Sequence, residues 1–104
     1  MTADALEAAI AAGRAPAIVD VRSPEEFREG HIPGAVNVPF WAAAFRWIEV
    51  SSSAPAVVYC GHGPRARIAR TLLRLRGIGG IDLLDGHMAA WRRSGRPEEP
   101  VERS

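Results

Sequence analysis

The stretch Ala56-Val57-Val58-Tyr59-Cys60-Gly61-His62-Gly63-Pro64-Arg65, continued by ARIARTLLRLRG to Gly77, decides the reading of the chain. Its first five residues form a short apolar run rich in β-branched and aromatic side chains, the pattern of a strand buried on both faces. From Arg65 to Arg76, Ile68, Ala69, Leu72, Leu73 and Leu75 are expected on one helical face and Arg67, Arg70 and Arg74 on another, with Gly77 as the stop. Between them lies the six-residue segment Cys60 to Arg65. Its two glycines let the backbone N–H groups converge on one point, and the following helix adds its positive N-terminal end. In open α/β sheets the ligand crevice lies at the carboxyl ends of the strands, where Cys60 sits.

The same alternation extends outward in both directions. Upstream, Thr2 to Ala12 reads as a helix stopped by Gly13, and Ala17 to Val21 as a buried strand. Ser23-Pro24-Glu25-Glu26 forms a capping box with proline at the first helical position, and Gly30 ends that short helix. Ala35 to Val38 reads as a second strand, Phe40 to Glu49 as an apolar helix, and Ser51 to Ser53 as a loop. Downstream, Ile81 to Leu84 is the last strand and His87 to Arg93 the last helix, with Trp91 as its core anchor. Strands alternating with helices predict right-handed crossovers and an α/β architecture: a parallel sheet of four to five strands with helices on both faces. Residues 1–95 are expected to form a single domain. Residues 96–104, with Pro97 and Pro100 and no periodicity, read as a C-terminal tail.

Composition narrows the function. The chain has 104 residues and one Cys, so no intramolecular disulfide is available and a hydrophobic core must hold the fold. No run approaches the ~18 apolar residues of a membrane span, and Asp4 and Glu7 near the start argue against a signal peptide, which predicts a cytoplasmic protein without membrane contact. All 13 basic residues are Arg. Residues 1–59 hold four Arg against seven acids, whereas residues 60–104 hold nine against five, so the second half should attract anions. These Arg residues are spread out rather than clustered with aromatics, which argues against nucleic acid. His31, His62 and His87 have no metal-ligand spacing, and no metal is expected. His31 reads as a hydrogen-bonding turn residue. Trp41 and Trp47 are expected to pack the helix Phe40 to Glu49 against the sheet, the alternative being a rim around the pocket.

Magnitudes define what the loop must do to activate Cys60. A free thiol titrates at about 8.5, so a mostly ionised one needs a drop of ~2 units, or ~2.7 kcal/mol. A helix end supplies at most ~2 kcal/mol. Loop amides and the charges of Arg65 and Arg67 must supply the rest, with His62 a candidate donor at the site.

The chain resembles single-domain rhodaneses, the thiosulfate sulfurtransferase-like family, along nearly its whole length. Asp20-Val21-Arg22 with Pro24-Glu25-Glu26-Phe27 resembles one signature of that family, and Gly30-His31-Ile32-Pro33-Gly34-Ala35-Val36-Asn37-Val38-Pro39 a second. CGHGPR resembles the active-site loop, and Leu84-Asp85 with Gly86 to Trp91 the closing signature. The resemblance implies a rhodanese-like three-layer sandwich and transfer of sulfane sulfur. Cys60 would take sulfur from a small anionic donor such as thiosulfate or polysulfide, hold it as a persulfide, and pass it to cyanide, a thiol or a protein acceptor, with no cofactor. On this reading Cys60 and Arg65 are the candidate catalytic residues, and Gly61, His62, Gly63 and Pro64 the candidate substrate-binding residues. Asp20, Arg22 and Arg67 are secondary candidates; for Asp20 and Arg22 the favoured reading is an ion pair tying loops together. The alternatives are a persulfide-carrying or partner-binding module without turnover, and a phosphatase- or arsenate reductase-like enzyme. Family relatives with those last activities have one more residue between Cys and Arg, whereas Arg65 closes a loop suited to one sulfur atom. Three features depart from the family pattern. Pro64 lacks an N–H, the usual first strand has almost no sequence here, and His87 replaces a glycine, which is expected to bear on the local turn rather than on the chemistry.

Overall fold

Ala17 to Asp20 and Ala56 to Tyr59 are the two most continuous β-branched runs, and they pair directly as the centre of the sheet. In a computed structural model, which describes residues 1–43, 45, 46, 48 and 55–100, they are β1 (Ala17–Asp20) and β3 (Ala56–Tyr59). They are flanked by β2 (Val36–Asn37) and β4 (Ile81–Leu83) in the order β2-β1-β3-β4. Every pairing is parallel, with Val19 opposite both Val36 and Val58, and Val58 opposite Leu83. Among the described residues the sheet has four strands, the number expected when a fifth is at most vestigial.

Strand alternation divides the core into two layers. Val58 and Cys60 join Val19, Val21 and Val38 beneath α3 (Pro64–Leu75). Val57 and Tyr59 face the other way, toward Leu6 of α1 (Ala3–Ala11) and Met88 and Trp91 of α4 (His87–Arg93). Trp91 is fully buried and its indole N–H donates to the Pro97 carbonyl at 2.7 Å. The short helix α2 (Pro24–Glu29) starts at the expected capping box: Ser23 Oγ accepts from the Glu26 N–H at 3.2 Å, and Glu26 Oε1 accepts from the Ser23 N–H at 3.0 Å.

Two details differ from the sequence reading. The inward stripe of α3 is Ala66, Ala69 and Leu73, whereas Ile68 and Leu75 point outward. The small alanines let the helix lie close to the sheet, which rotates the larger residues away from it. Phe40 to Ala42, read as the start of an α-helix, form a 3-10 turn in which Trp41 is exposed. Residues 44, 47 and 49 of that predicted helix, Trp47 among them, lie outside the described residues, as does the predicted loop Ser51 to Ser53.

Within the stretch read as a tail, the described residues 96–100 are held at several points. Glu99 and His31 exchange backbone hydrogen bonds of 2.7 and 3.0 Å, and Arg96 pairs with both Asp4 and Glu7 of α1 while lying over the Trp91 ring. Among the described residues no helix is long and apolar enough to cross a membrane.

Candidate active site

β3 delivers Cys60 to the carboxyl end of the sheet, and the strand's alternation turns its side chain toward the start of α3. The chain then has to leave the sheet and enter a helix within a few residues. Gly63 makes this possible by taking φ +134°, a conformation open to glycine alone, and Pro64 follows at the first helical position, where a missing N–H costs nothing. The Gly63 N–H donates to Cys60 Sγ at 2.9 Å. The next donor to reach the sulfur is the N–H of Ala66, one residue beyond the CGHGPR segment. The N-terminus of α4 closes the loop from the other side, since the N–H groups of Met88 and Ala89 donate to the carbonyls of Cys60 and Gly61, both at 3.0 Å.

His87 completes the surroundings of the sulfur, and here the structure corrects the sequence reading. The turn is kept, because His87 adopts φ +52° in place of a glycine, a conformation that histidine reaches more readily than most residues. Its ring folds back under Cys60, where Nδ1 accepts from the Cys60 N–H at 3.2 Å. Burial pushes the Cys60 thiol up. The bonds from His87, Ala66 and Gly63 outweigh burial and hold the thiol at about 7, below its ordinary value. Spacing alone gave no signal for this role; the informative sign was a histidine where a glycine belongs.

Arg65 lies in the wall of the site rather than over the sulfur. Its guanidinium donates to both oxygens of Glu26, at 2.6 and 3.1 Å, and Glu26 also holds the capping box of α2. Hydrogen bonding to Arg65 is the main cause that holds the Glu26 carboxyl at about 2. Glu26 had been read only as a helix cap, and its charged partner is 39 residues away. Asp20 and Arg22, the secondary candidates, form a fully buried ion pair. Arg22 Nε and Nη2 lie 3.1 and 2.7 Å from Asp20 Oδ2, and Nη2 also donates to the Gly30 carbonyl at 2.7 Å. The loop-tying reading therefore describes Asp20, whereas Arg22 both ties the loop and reaches the pocket wall. His31 is the expected turn residue: it stacks on Phe27 and its Nδ1 lies 2.8 Å from the Phe27 carbonyl.

A pocket of about 170 Å³ opens above the loop, lined by Arg22, Glu26, Gly61, His62, Arg65, Met88, Ala89 and Arg92. Arg22, Arg65 and Arg92 bring guanidinium groups to its wall, each also paired with a carboxylate, Asp20, Glu26 and Glu98 respectively. His62 is exposed at the rim, Pro64 is exposed outside the lining, and Arg67 lies on the outer side of α3 with its guanidinium reaching back toward Gly63. Cys60 Sγ is itself fully buried. Among the described residues no cluster of His, Cys, Asp or Glu could hold a metal ion.

Comparison with known proteins places this geometry in context. Residues 2–94 match the model of the Rhodanese-like domain family. The chain is 35% identical over 80 residues to a sulfurtransferase from Allochromatium vinosum, covering 77% of this chain and 75% of that one. It is 33% identical over 85 residues to the thiosulfate sulfurtransferase GlpE from Pseudomonas syringae, covering 82% and 79%. It also matches the HTH-type transcriptional regulator Rv0324 from Mycobacterium tuberculosis at 38% identity, spanning only 36% of that longer protein. Among solved structures, the Alr3790 protein from Anabaena superposes with a TM-score of 0.83 at 30% identity, covering 97% of this chain and 82% of the other.

Proposed function

From the premise that the chain belongs to the Rhodanese-like domain family, we propose that it is a sulfurtransferase that carries sulfane sulfur on Cys60. The observation that carries this reading is the Cys60 thiol, held at about 7 by hydrogen bonds at the end of a parallel strand, next to a pocket lined by Arg22, Arg65 and Arg92. The thiolate attacks the outer sulfur of thiosulfate; a new S–S bond forms, the donor's S–S bond breaks, and sulfite leaves with the electron pair. A thiophilic acceptor, cyanide or a thiol, then attacks the outer sulfur of the persulfide and Cys60 departs as thiolate. Arg65, Arg22 and Arg92 attract the anionic donor, and the amides of Gly63 and Ala66 hold the charge on sulfur. Because Sγ is buried, the loop must move for donor and sulfur to meet. The relative named as a thiosulfate sulfurtransferase supports thiosulfate as donor. A compartment that keeps the lone thiol reduced, the cytoplasm, suits this chemistry.

The test is an intact-protein mass spectrum after incubation with thiosulfate under non-reducing conditions. A gain of one sulfur atom, removed by cyanide and absent from Cys60→Ser, is the expected result; no gain defeats thiosulfate transfer. The burial of Sγ favours a second reading, a module that accepts persulfide only when a partner protein opens the loop. Loading from a persulfidated protein but not from thiosulfate identifies that case. Hydrolysis of an aryl phosphate that disappears in Cys60→Ser would instead mark a phosphatase.

A further inference from the structure

No transfer step uses a residue beyond Arg92, yet the described residues 96–100, past the end of the family match at residue 94, reach the wall of the pocket. Pro97 and Glu99 are each pinned to the body of the fold. The Trp91 indole N–H donates to the Pro97 carbonyl at 2.7 Å. Glu99 exchanges backbone hydrogen bonds with His31 at 2.7 and 3.0 Å, and its carboxylate accepts from the Gly34 N–H at 3.2 Å. Glu98 lies between these two anchors, and both of its oxygens accept from Arg92 Nε, at 3.1 and 3.2 Å. Gly30 leaves the space that this carboxylate fills. A Cβ on Gly30 would collide with Glu98 Oε1 and stand 3.2 Å from Arg92 Nη2, although the Gly30 backbone is extended and by itself makes no demand for glycine.

Arg92 is thereby held along one edge. Nε is on Glu98, Nη2 donates to the Gly30 carbonyl at 3.3 Å, and Nη1 has no partner among the described residues. Of the three guanidinium-bearing side chains at the pocket wall it is the most exposed, 45% against 32% for Arg65 and 2% for Arg22. It also stands one turn along α4 from Met88 and Ala89, whose N–H groups hold the cysteine loop.

We propose that Glu98 is a positioning residue of the active site: it fixes Arg92 by its Nε edge, so that the free Nη1 edge is presented to the anionic sulfur donor. Ordering this long side chain in advance removes an entropic cost from donor binding. A carboxylate placed to cancel the charge of Arg92 would occupy the Nη1–Nη2 fork, the end that grips an oxyanion, whereas Glu98 takes Nε alone and leaves that fork open.

The inference rests on the reading that the pocket takes an anionic donor, but its test needs no sulfur transfer. Thiosulfate is titrated into Cys60→Ser, which cannot be loaded, and binding is followed by ¹H–¹⁵N shifts and calorimetry, with Arg92→Ala, Glu98→Ala and Glu98→Gln added in turn. Arg92→Ala and Glu98→Ala are each expected to weaken binding about fivefold, and both together no more than either alone. Glu98→Gln, whose amide oxygen still accepts from Nε, should recover most of the affinity. Tighter binding in both Glu98 variants would mark a charge mask and overturn the proposal. A lower Tm with unchanged affinity, no effect of Arg92→Ala, or no thiosulfate binding at all would overturn it too. If Glu98→Ala fails to fold, the Arg92 Nε–H resonance with Glu98 intact decides: slow exchange with water and a shift on adding thiosulfate support the proposal, and a solvent-averaged signal defeats it. Mass spectra of the wild type keep the two readings apart. Persulfide loading beside unchanged affinity in the Glu98 variants sinks this inference alone; the expected binding pattern without loading sinks thiosulfate transfer alone.

Discussion

Glu26 and Arg65 meet across the site through paired hydrogen bonds of 2.6 and 3.1 Å, joining the first turn of α2 to the first turn of α3. One Glu26 oxygen, Oε1, accepts both the Arg65 guanidinium and the Ser23 N–H of the capping box. The same carboxylate thus starts a helix and holds one wall of the pocket in register with the cysteine loop.

Glu26→Gln separates these two tasks, because glutamine preserves the capping box and removes the charge. The folded-state carboxyl is depressed to about 2, so its contribution to stability is complete above the ordinary glutamate value and is lost as pH falls toward 2. The pair is partly exposed, and the expected loss at pH 7 is roughly 0.5 kcal/mol, or ~2–4 °C in Tm. Thermal melts from pH 7 to 2 should show the two proteins converging at the acid end; a constant gap would assign the effect to the cap.

Arg65→Ala should weaken sulfur transfer from thiosulfate by on the order of tenfold, about 1.4 kcal/mol, and Arg67→Ala by much less. Arg65 lines the pocket, whereas Arg67 lies on the outer side of α3. Steady-state kinetics with cyanide as acceptor measure both, and equal losses would reduce Arg65 to a strut for Glu26.

Gly63→Ala should abolish loading while leaving most of the fold intact. At φ +134° an added Cβ is strained, and it would stand 3.0 Å from Arg67 Nη1 and 3.2 Å from His87 Nε2. Its readout is the mass shift with thiosulfate beside far-ultraviolet circular dichroism. Normal loading would mean that the loop tolerates rearrangement around the sulfur.

Arg22→Met should cost ~3–5 kcal/mol in denaturant unfolding, because it leaves the Asp20 carboxylate buried without its partner and the Gly30 carbonyl without the donor at 2.7 Å. Asp20→Leu combined with Arg22→Met should lose less than the sum of the single changes. Strict additivity would show that the two side chains do not act as a pair.

How far each feature could be read ahead of the structure follows the separation of its parts. The Ser23–Glu26 capping box, the strand AVVYC and the glycine loop are written within a few consecutive residues, and all three appear where they were expected. The α3 face was misjudged at Ile68 and Leu75 because hydrophobicity counts large residues, while close packing on the sheet selected Ala66 and Ala69. Sequence reasoning expected the cradle within Gly61 to Arg65. It missed the Ala66 N–H, because which amides aim at the sulfur depends on the turn that Pro64 imposes.

By itself the sequence determined the order of strands and helices, the parallel sheet they imply, and the position of Cys60 at the end of a buried strand, since each follows from local periodicity and turn chemistry. Only the tertiary structure decided what surrounds the thiol. His87 lies 27 residues beyond Cys60 and Glu26 lies 39 before Arg65. Such partners meet only after the crossovers have stacked α2, α3 and α4 around one end of the sheet, and hydrogen bonds act over about 3 Å, so spacing along the chain carries no record of them.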